Sequence, residues 1–329
     1  MEFQRPKKLL LSVFLLFFMS LFFLAWTLYE FIQAPLIPLQ SSPQVITLNR
    51  STSAFQFAQI LKGKRLIPST RLFVSIIRIK GLANQLKAGV YQIQPGETAM
   101  QLLNKVVAGQ VLIQNFAIIA GTTQIKISQD LTQALYLDYT PDDWSEIKQN
   151  HPNAEGLLLA DTYQYRGGSS GKNLLKQANE NLMAYLNSSW QHRAPDLPYK
   201  TAYELLIAAS IIEKETAIPQ ERQLISGVMV NRLNKNMPLQ MDPTVIYALG
   251  NLYTGKLSHN DMQINSLYNS YRYRGLPPTP IAMIGKQAVD AAAHPQASKY
   301  LYFVAKGDGS HQFSQTYDQQ RSAIEQYQR

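Results

Sequence analysis

The sequence predicts an α+β protein carried on one N-terminal transmembrane helix. Two observations predict it: a single long apolar run at the start, and beyond it an alternation of strand-like stretches with capped helices, without internal repeats. The apolar run is LLLSVFLLFFMSLFFLAWTLYEFI (9–32), behind Arg5, Lys7 and Lys8. Roughly 20 helical residues cover the hydrocarbon thickness of a bilayer. The preceding positive charges favour a cytoplasmic N-terminus, and Trp26 and Tyr29 suit the far interface. No small-x-small cleavage site comes after the run, which favours an uncleaved anchor over a signal peptide. Residues 1–8 then form a basic cytoplasmic tail and 9–32 the anchor. The rest of the chain lies outside the inner membrane.

Beyond the anchor the elements come in order. Residues 33–43, with the prolines of APLIPLQSSP, read as a linker. QVITLN (44–49) alternates like a strand, and STSAFQFAQILKG (51–63) has a Ser/Thr start and a glycine stop. PSTRLFVSIIRIKG (68–81) predicts a second helix capped by Ser69 or Thr70. LKAGVYQI (86–93) returns to strand character, and Thr98-x-x-Gln101 is a capping box opening a third helix. A small α+β unit is therefore expected over 44–115. Residues 116–200, interrupted by RGGSSGK and APDLPYK, read as a connector packing on the C-terminal domain. Thr201-x-x-Glu204 opens another helix, which ends near Glu215. The runs KYLYFVAK (299–306) and HQFS (311–314), split by Gly307-Asp308-Gly309, predict a hairpin.

Composition excludes several function classes. The chain has no cysteine, so disulfides, thiolate catalysis and Cys-ligated zinc are absent. Its net charge of +9 is spread along the chain without a Lys/Arg block, which argues against nucleic acid as a partner. Five scattered histidines (151, 192, 259, 294, 311) contain no His-Glu-x-x-His, and no metal is expected. Ser210 and Lys214 are four apart rather than three, which excludes a Ser-x-x-Lys nucleophile there.

The chemistry concentrates in ASIIEKETA (209–217), where Glu213 and Glu215 stand two apart at the end of an apolar helix. Residues two apart cannot face one target from a single helix, so they are not a catalytic pair. On the helical projection Glu215 lies at the edge of the arc formed by Leu205, Ala208, Ala209, Ile211 and Ile212, whereas Glu213 lies towards Ser210 and Lys214. Apolar surroundings raise a carboxyl pKa, the condition for a general acid near neutral pH. The alternative is that both glutamates are solvated at the helix end, with Glu215 offset by Lys214 or Arg222. Glu221, just after Pro219, reads as a helix-capping residue.

The stretch ASIIEKETAIPQERQLISGVMVNRLNKNMPLQMDPTVIYALG (209–250) resembles the catalytic core of the endolytic murein transglycosylases, the YceG-like family. The likeness continues through YNSYRYRGLPPTPI (268–281), AAAHP (291–295) and YLYFVAKGDGSHQFS (300–314), with KAGVY (87–91) and EGLLLADTYQY (155–165) upstream. It differs from the family pattern at LLLA (157–160), where aromatics and a proline are usual before Asp161, and at AMIG (282–285), where a proline usually precedes the glycine. The resemblance implies a LysM-like module at 44–115 and a mixed helix/strand catalytic domain at 201–329. It implies cleavage of peptidoglycan glycan strands to 1,6-anhydromuramoyl ends, with Glu215 as the catalytic acid. It places Gln240, Asp242, Thr244, Tyr268 and Asn269 along the sugar cleft. No cofactor is implied. Peptidoglycan synthases or division proteins are the implied protein partners. Two rival readings stand beside it: a hydrolytic muramidase using Glu215 and Asp242, and a non-catalytic peptidoglycan-binding scaffold at the membrane.

Overall fold

The computed structural model describes residues 5–327, so the first four residues of the expected basic tail lie outside the described residues. The described residues form two compact units, one running up to 114 and including 166–169, the other of 115–165 and the residues from 170 on.

The first unit begins with α1 (Arg5–Gln33). Its segment Ser12–Gln33 is long and apolar enough to cross a membrane. Then come β1 (Gln44–Leu48), α2 (Ala54–Gly63), α3 (Thr70–Ile79), β2 (Gly89–Ile93) and α4 (Ala99–Ala108). The caps read from the sequence form here. Ser53 and Gln56 make a reciprocal capping box, Ser69 accepts from Leu72, Thr98 and Gln101 make a second box, and Gly109 ends α4 at φ 72°. β1 and β2 pair antiparallel with Ile46 opposite Tyr91, and α2 packs on α3.

The expected linker is not free. Leu36 and Ile37 are buried, the Leu36 N–H donates to the Glu97 carbonyl (2.8 Å), and Gly96 donates to Ile37 (3.0 Å). Phe31, the last large side chain of α1 to be buried, lies 6.4 Å from the Phe73 ring. The end of the apolar helix is thus part of this unit's core. At its centre Phe57, fully buried, meets Phe73 edge-on at 5.5 Å. Phe57→Ala should lower the stability of this unit by about 3–5 kcal/mol, the usual cost of an aromatic-to-alanine cavity. The midpoint of thermal unfolding followed by circular dichroism checks this.

The second unit contains β3 (Ile113–Ala117), whose first two residues belong to the first unit, α5 (Gln124–Gln133), the single turn α6 (Ser145–Lys148), β4 (Thr162–Arg166), α7 (Gly171–Gln191), α8 (Ala202–Glu215), α9 (Pro219–Asn234), α10 (Asp242–Leu249), α11 (Lys286–Ala293), β5 (Tyr302–Ala305), β6 (His311–Ser314) and α12 (Tyr317–Tyr327). The stretch 116–200 is not an irregular connector. It supplies β4, α5 and the 21-residue α7, whose Leu174, Leu175, Ala178, Leu182 and Leu186 enter the core of the second unit.

Helix α8 is the centre of that core. Every residue from Leu205 to Ile212 is buried, and α7, α9, α10 and α11 pack around it. Thr201 caps it by accepting from Glu204, while the Glu204 carboxylate turns back to the Lys200 N–H (2.7 Å). Ser210, the one hydroxyl inside, donates to Ile207 and accepts from Ile281, so no polar atom of it is stranded. The predicted hairpin forms, with β5 and β6 antiparallel and Phe303 opposite Phe313.

Candidate active site

Helix α8 stops at Glu215 because Thr216 leaves the helical region, at φ −141° and ψ 138°, and Pro219 starts α9. The Thr216 hydroxyl accepts from the Ile218 N–H (3.0 Å) and stiffens this corner. The two glutamates meet opposite fates there. Glu213 points back into the protein, where Oε1 accepts from the Arg222 guanidinium (2.9 Å) and Oε2 from the Gly285 N–H (2.9 Å). Lys214 reaches the Gly121 carbonyl (3.0 Å). Neither cation offsets Glu215.

Glu215 instead lines a cleft of about 350 Å³ together with Arg232, Gln240, Asp242, Tyr271 and His311. Its Oε2 is buried and has no hydrogen-bond partner among the described residues. Burial, with the negative charge of Asp242 adding to it, pushes the Glu215 carboxyl up to about 8. Its place at the C-terminal end of a helix, where the backbone dipole is negative, acts in the same direction. The side chain therefore holds a proton at neutral pH and has nothing in the protein to give it to. That is the condition of a general acid awaiting a substrate.

The opposite wall is fixed by hydrogen bonds. Arg232 is buried, and its guanidinium donates to the carbonyls of Leu301 (2.6 Å), Pro238 (3.0 Å) and Leu239 (2.9 Å) and to Gln240 Oε1 (2.9 Å). Three of these four bonds shape the 238–240 turn, where Gln240 sits at φ 53°. Ser270 and Thr244 then pin the turn to the 268–271 segment. The Gln240 N–H donates to the Ser270 carbonyl (3.0 Å), the Met241 N–H to Ser270 Oγ (2.9 Å), and the two hydroxyls lie 2.8 Å apart. This brings the Tyr271 hydroxyl onto Asp242 Oδ1. Burial and the Asp242 carboxylate push the Tyr271 phenol upward, so it stays a hydrogen-bond donor.

The structure thus brings Glu215, Gln240 and Asp242 to one cleft. It places the other three expected residues elsewhere. Thr244 is fully buried and donates to the Met241 carbonyl (2.6 Å). Asn269 is fully buried and donates to the carbonyls of Met262 (3.0 Å) and Ile264 (2.9 Å). Both brace the wall from behind. Tyr268 packs against Tyr247 with ring centroids 4.8 Å apart and shares a 2.7 Å hydrogen bond with Thr279, away from the cleft lining. Two cleft residues, Tyr271 and His311, carry no signal in the sequence. Tyr271 stands two positions after Asn269 in a run of three tyrosines, and nothing local separates it from its neighbours. His311 lies in a strand that reads as ordinary hairpin.

Known proteins resemble this chain across both units. A model of the YceG-like family matches residues 46–326, nearly all of the chain beyond the apolar helix. The chain belongs to the YceG-like family. Among relatives, an endolytic murein transglycosylase of Bacillus subtilis is 30% identical over 311 residues, covering 86% of this chain and 84% of the relative. One of Streptococcus pneumoniae is 25% identical over 327 residues, covering 84% of this chain and 57% of that longer protein. The crystal structure of a YceG-like protein from Listeria monocytogenes superposes with a TM-score of 0.53 at 26% identity, covering 86% of this chain and 99% of that one. In a YceG-like chain the cleft at the end of α8 falls inside the matched region, as do all of its lining residues.

Proposed function

We propose that this protein is a membrane-anchored endolytic lytic transglycosylase that cuts peptidoglycan glycan strands, with Glu215 as its general acid and base. The observation that carries this reading is the Glu215 carboxyl in the cleft, its buried Oε2 without a partner among the described residues and its pKa pushed up to about 8 by burial. The named activity of the relatives supplies the substrate class.

In this reaction the proton of Glu215 passes to the glycosidic oxygen between N-acetylmuramic acid and N-acetylglucosamine, and the C1–oxygen bond breaks. The muramoyl C6 oxygen bonds to C1, and the proton it loses restores Glu215. One carboxyl suffices because the nucleophile belongs to the substrate, whereas most glycosidases need two carboxylates flanking the bond. The order strand–helix–helix–strand in the first unit supports a LysM-like, glycan-binding reading of that unit. The burial of Phe31 against Phe73 supports retention of α1 as an anchor, because cleavage just after that helix would remove Phe31 from a packed core.

Asp242 in the same cleft favours one second reading, a muramidase that activates water with this carboxylate. The test is to incubate the full-length protein in detergent with uncross-linked glycan strands and weigh the products. Ends lighter by one water than hydrolysis products are expected. Hydrated ends would overturn the proposal. Asp242→Asn separates the readings further. Anhydro ends should persist, and the alkaline limb of the rate profile should move to lower pH, because the negative charge that raises Glu215 is gone. A muramidase would lose its activity in this variant.

A further inference from the structure

Outside Glu215, one side chain of the cleft is held as a functional group is held. His311 opens β6, and its ring meets Phe303 edge-on at 5.3 Å. Glu221, expected to cap α9, does not serve that helix. Its Oε1 accepts from the His311 backbone N–H (2.9 Å) and its Oε2 from His311 Nδ1 (2.7 Å). The Thr216 hydroxyl, next to Glu215, donates to the same Oε2 at 3.5 Å. Both side chains are largely buried, at 10% and 13% exposure for His311 and Glu221.

A carboxylate only accepts, so Nδ1 carries the hydrogen and a neutral ring leaves Nε2 as an acceptor. Nε2 has no partner among the described residues, and His311 lines the cleft that holds Glu215. The other polar groups of that wall are engaged: Arg232 by four acceptors and Asp242 by Tyr271. Gln320 Oε1 is also unpaired there, but an amide oxygen does not take up a proton as an imidazole does. The cleft therefore offers Glu215 as a proton donor and His311 as a basic acceptor with no partner of its own, beside an Asp242 carboxylate whose Oδ1 already takes the Tyr271 hydroxyl.

We infer that His311, oriented by Glu221, is a second catalytic residue, whose Nε2 accepts from the muramoyl C6 hydroxyl and aims that oxygen at C1. The inference rests on the transglycosylase reading. As O6 bonds to C1, its proton is taken up by Nε2, giving an imidazolium that Glu221 stabilises. The proton given by Glu215 has gone to the leaving oxygen, and transfer of the imidazolium proton to the Glu215 carboxylate resets both groups. No co-reactant is consumed. The arrangement parallels other carboxylate–histidine pairs, in which the carboxylate fixes tautomer and orientation.

The experiment compares full-length wild type, His311→Ala, His311→Gln and Glu221→Gln in detergent on uncross-linked glycan strands, with kcat, KM, product masses and melting temperature read for each. A positioned base contributes about 10²–10⁴-fold. His311→Ala should therefore lower kcat at least about 100-fold with little change in KM. It should also raise the share of hydrated ends, because water now competes with a C6 hydroxyl that is no longer aimed. Glu221→Gln should show the same change more weakly. His311→Gln, which keeps most of the volume, serves if the alanine variant does not fold. Folded variants with wild-type kcat and wholly anhydro ends would overturn the inference. A loss of rate that tracks the melting temperature, without hydrated ends, would overturn it too. Hydrated ends from the wild type would instead remove the transglycosylase reading itself, which is a separate result.

Discussion

Replacing Glu215 with glutamine is expected to abolish formation of anhydro ends, by at least about 10³-fold in kcat, while leaving the fold intact. General acid catalysis alone contributes about 10²–10⁴-fold. The wild-type rate should also fall above a pH of about 8, as the Glu215 carboxyl loses its proton. Wild-type stability should fall over the same rise in pH. The folded protein holds this proton up to about 8, against about 4.5 for an ordinary glutamate. Its contribution to stability is therefore complete below about 4.5 and is lost as pH rises towards 8. At about 1.4 kcal/mol per pH unit, the loss is on the order of 5 kcal/mol. Glu215→Gln removes that dependence, so the variant should gain on the wild type as pH rises from 5 to 9. Thermal melts across that range, run beside the product assay, check both halves. An inactive variant that is also less stable at pH 8 would count against a desolvated acid at this position.

Much of this was legible because it is local. Ser53, Ser69, Thr98 and Thr201 sit where a helix must begin, since a side-chain oxygen there satisfies an N–H that the helix leaves free. The projection of α8 placed Glu215 and Glu213 on different faces, and a helix cannot do otherwise. What each face meets is a tertiary fact. The sequence left Arg222 available to Glu215, but the turn after Thr216 brings it to Glu213. Helix α7 was hidden because RGGSSGK just before it reads as loop, although Leu174, Ala178, Leu182 and Leu186 keep a strict four-residue spacing.

Longer separations were not legible at all. Glu221 and His311 lie 90 positions apart and meet only because the first residue of β6 reaches the first turn of α9. The same holds for the two segments that differ from the family pattern. LLLA and AMIG are far apart in the chain, yet Leu159 and Ile284 form a parallel bridge and the Ala160 N–H donates to Ile284 (2.8 Å). Leu157, Leu158, Met283 and Ile284 are all fully buried. The two segments therefore meet at one aliphatic contact of the core.

Glu213 is expected to fail in the opposite way to Glu215. Its side chain is 5% exposed and that of Arg222 12%, so the pair is desolvated on both sides. Arg222 Nε already lacks a partner, and Nη1 reaches Gln287 only at 3.3 Å. Glu213→Ala would leave a buried guanidinium without its counter-charge and the Gly285 N–H without its acceptor. Breaking one side of a buried pair costs about 3–5 kcal/mol. For a unit of this size that corresponds to a fall of roughly 6–20 °C in melting temperature. Glu213→Gln should lose less, since an amide oxygen still accepts from Gly285. Both variants, assayed below their melting temperatures, should still make anhydro ends with kcat within a few-fold of wild type, because neither touches the cleft. If Glu213→Ala were instead as stable as wild type but inactive, the division of labour within the Glu-Lys-Glu stretch would be wrong. Gly285 closes the AMIG segment, so the carboxylate of Glu213 ties the end of α8 to the contact with LLLA. One glutamate holds the end of α8 in place so that the other, two residues on, can be left without a partner.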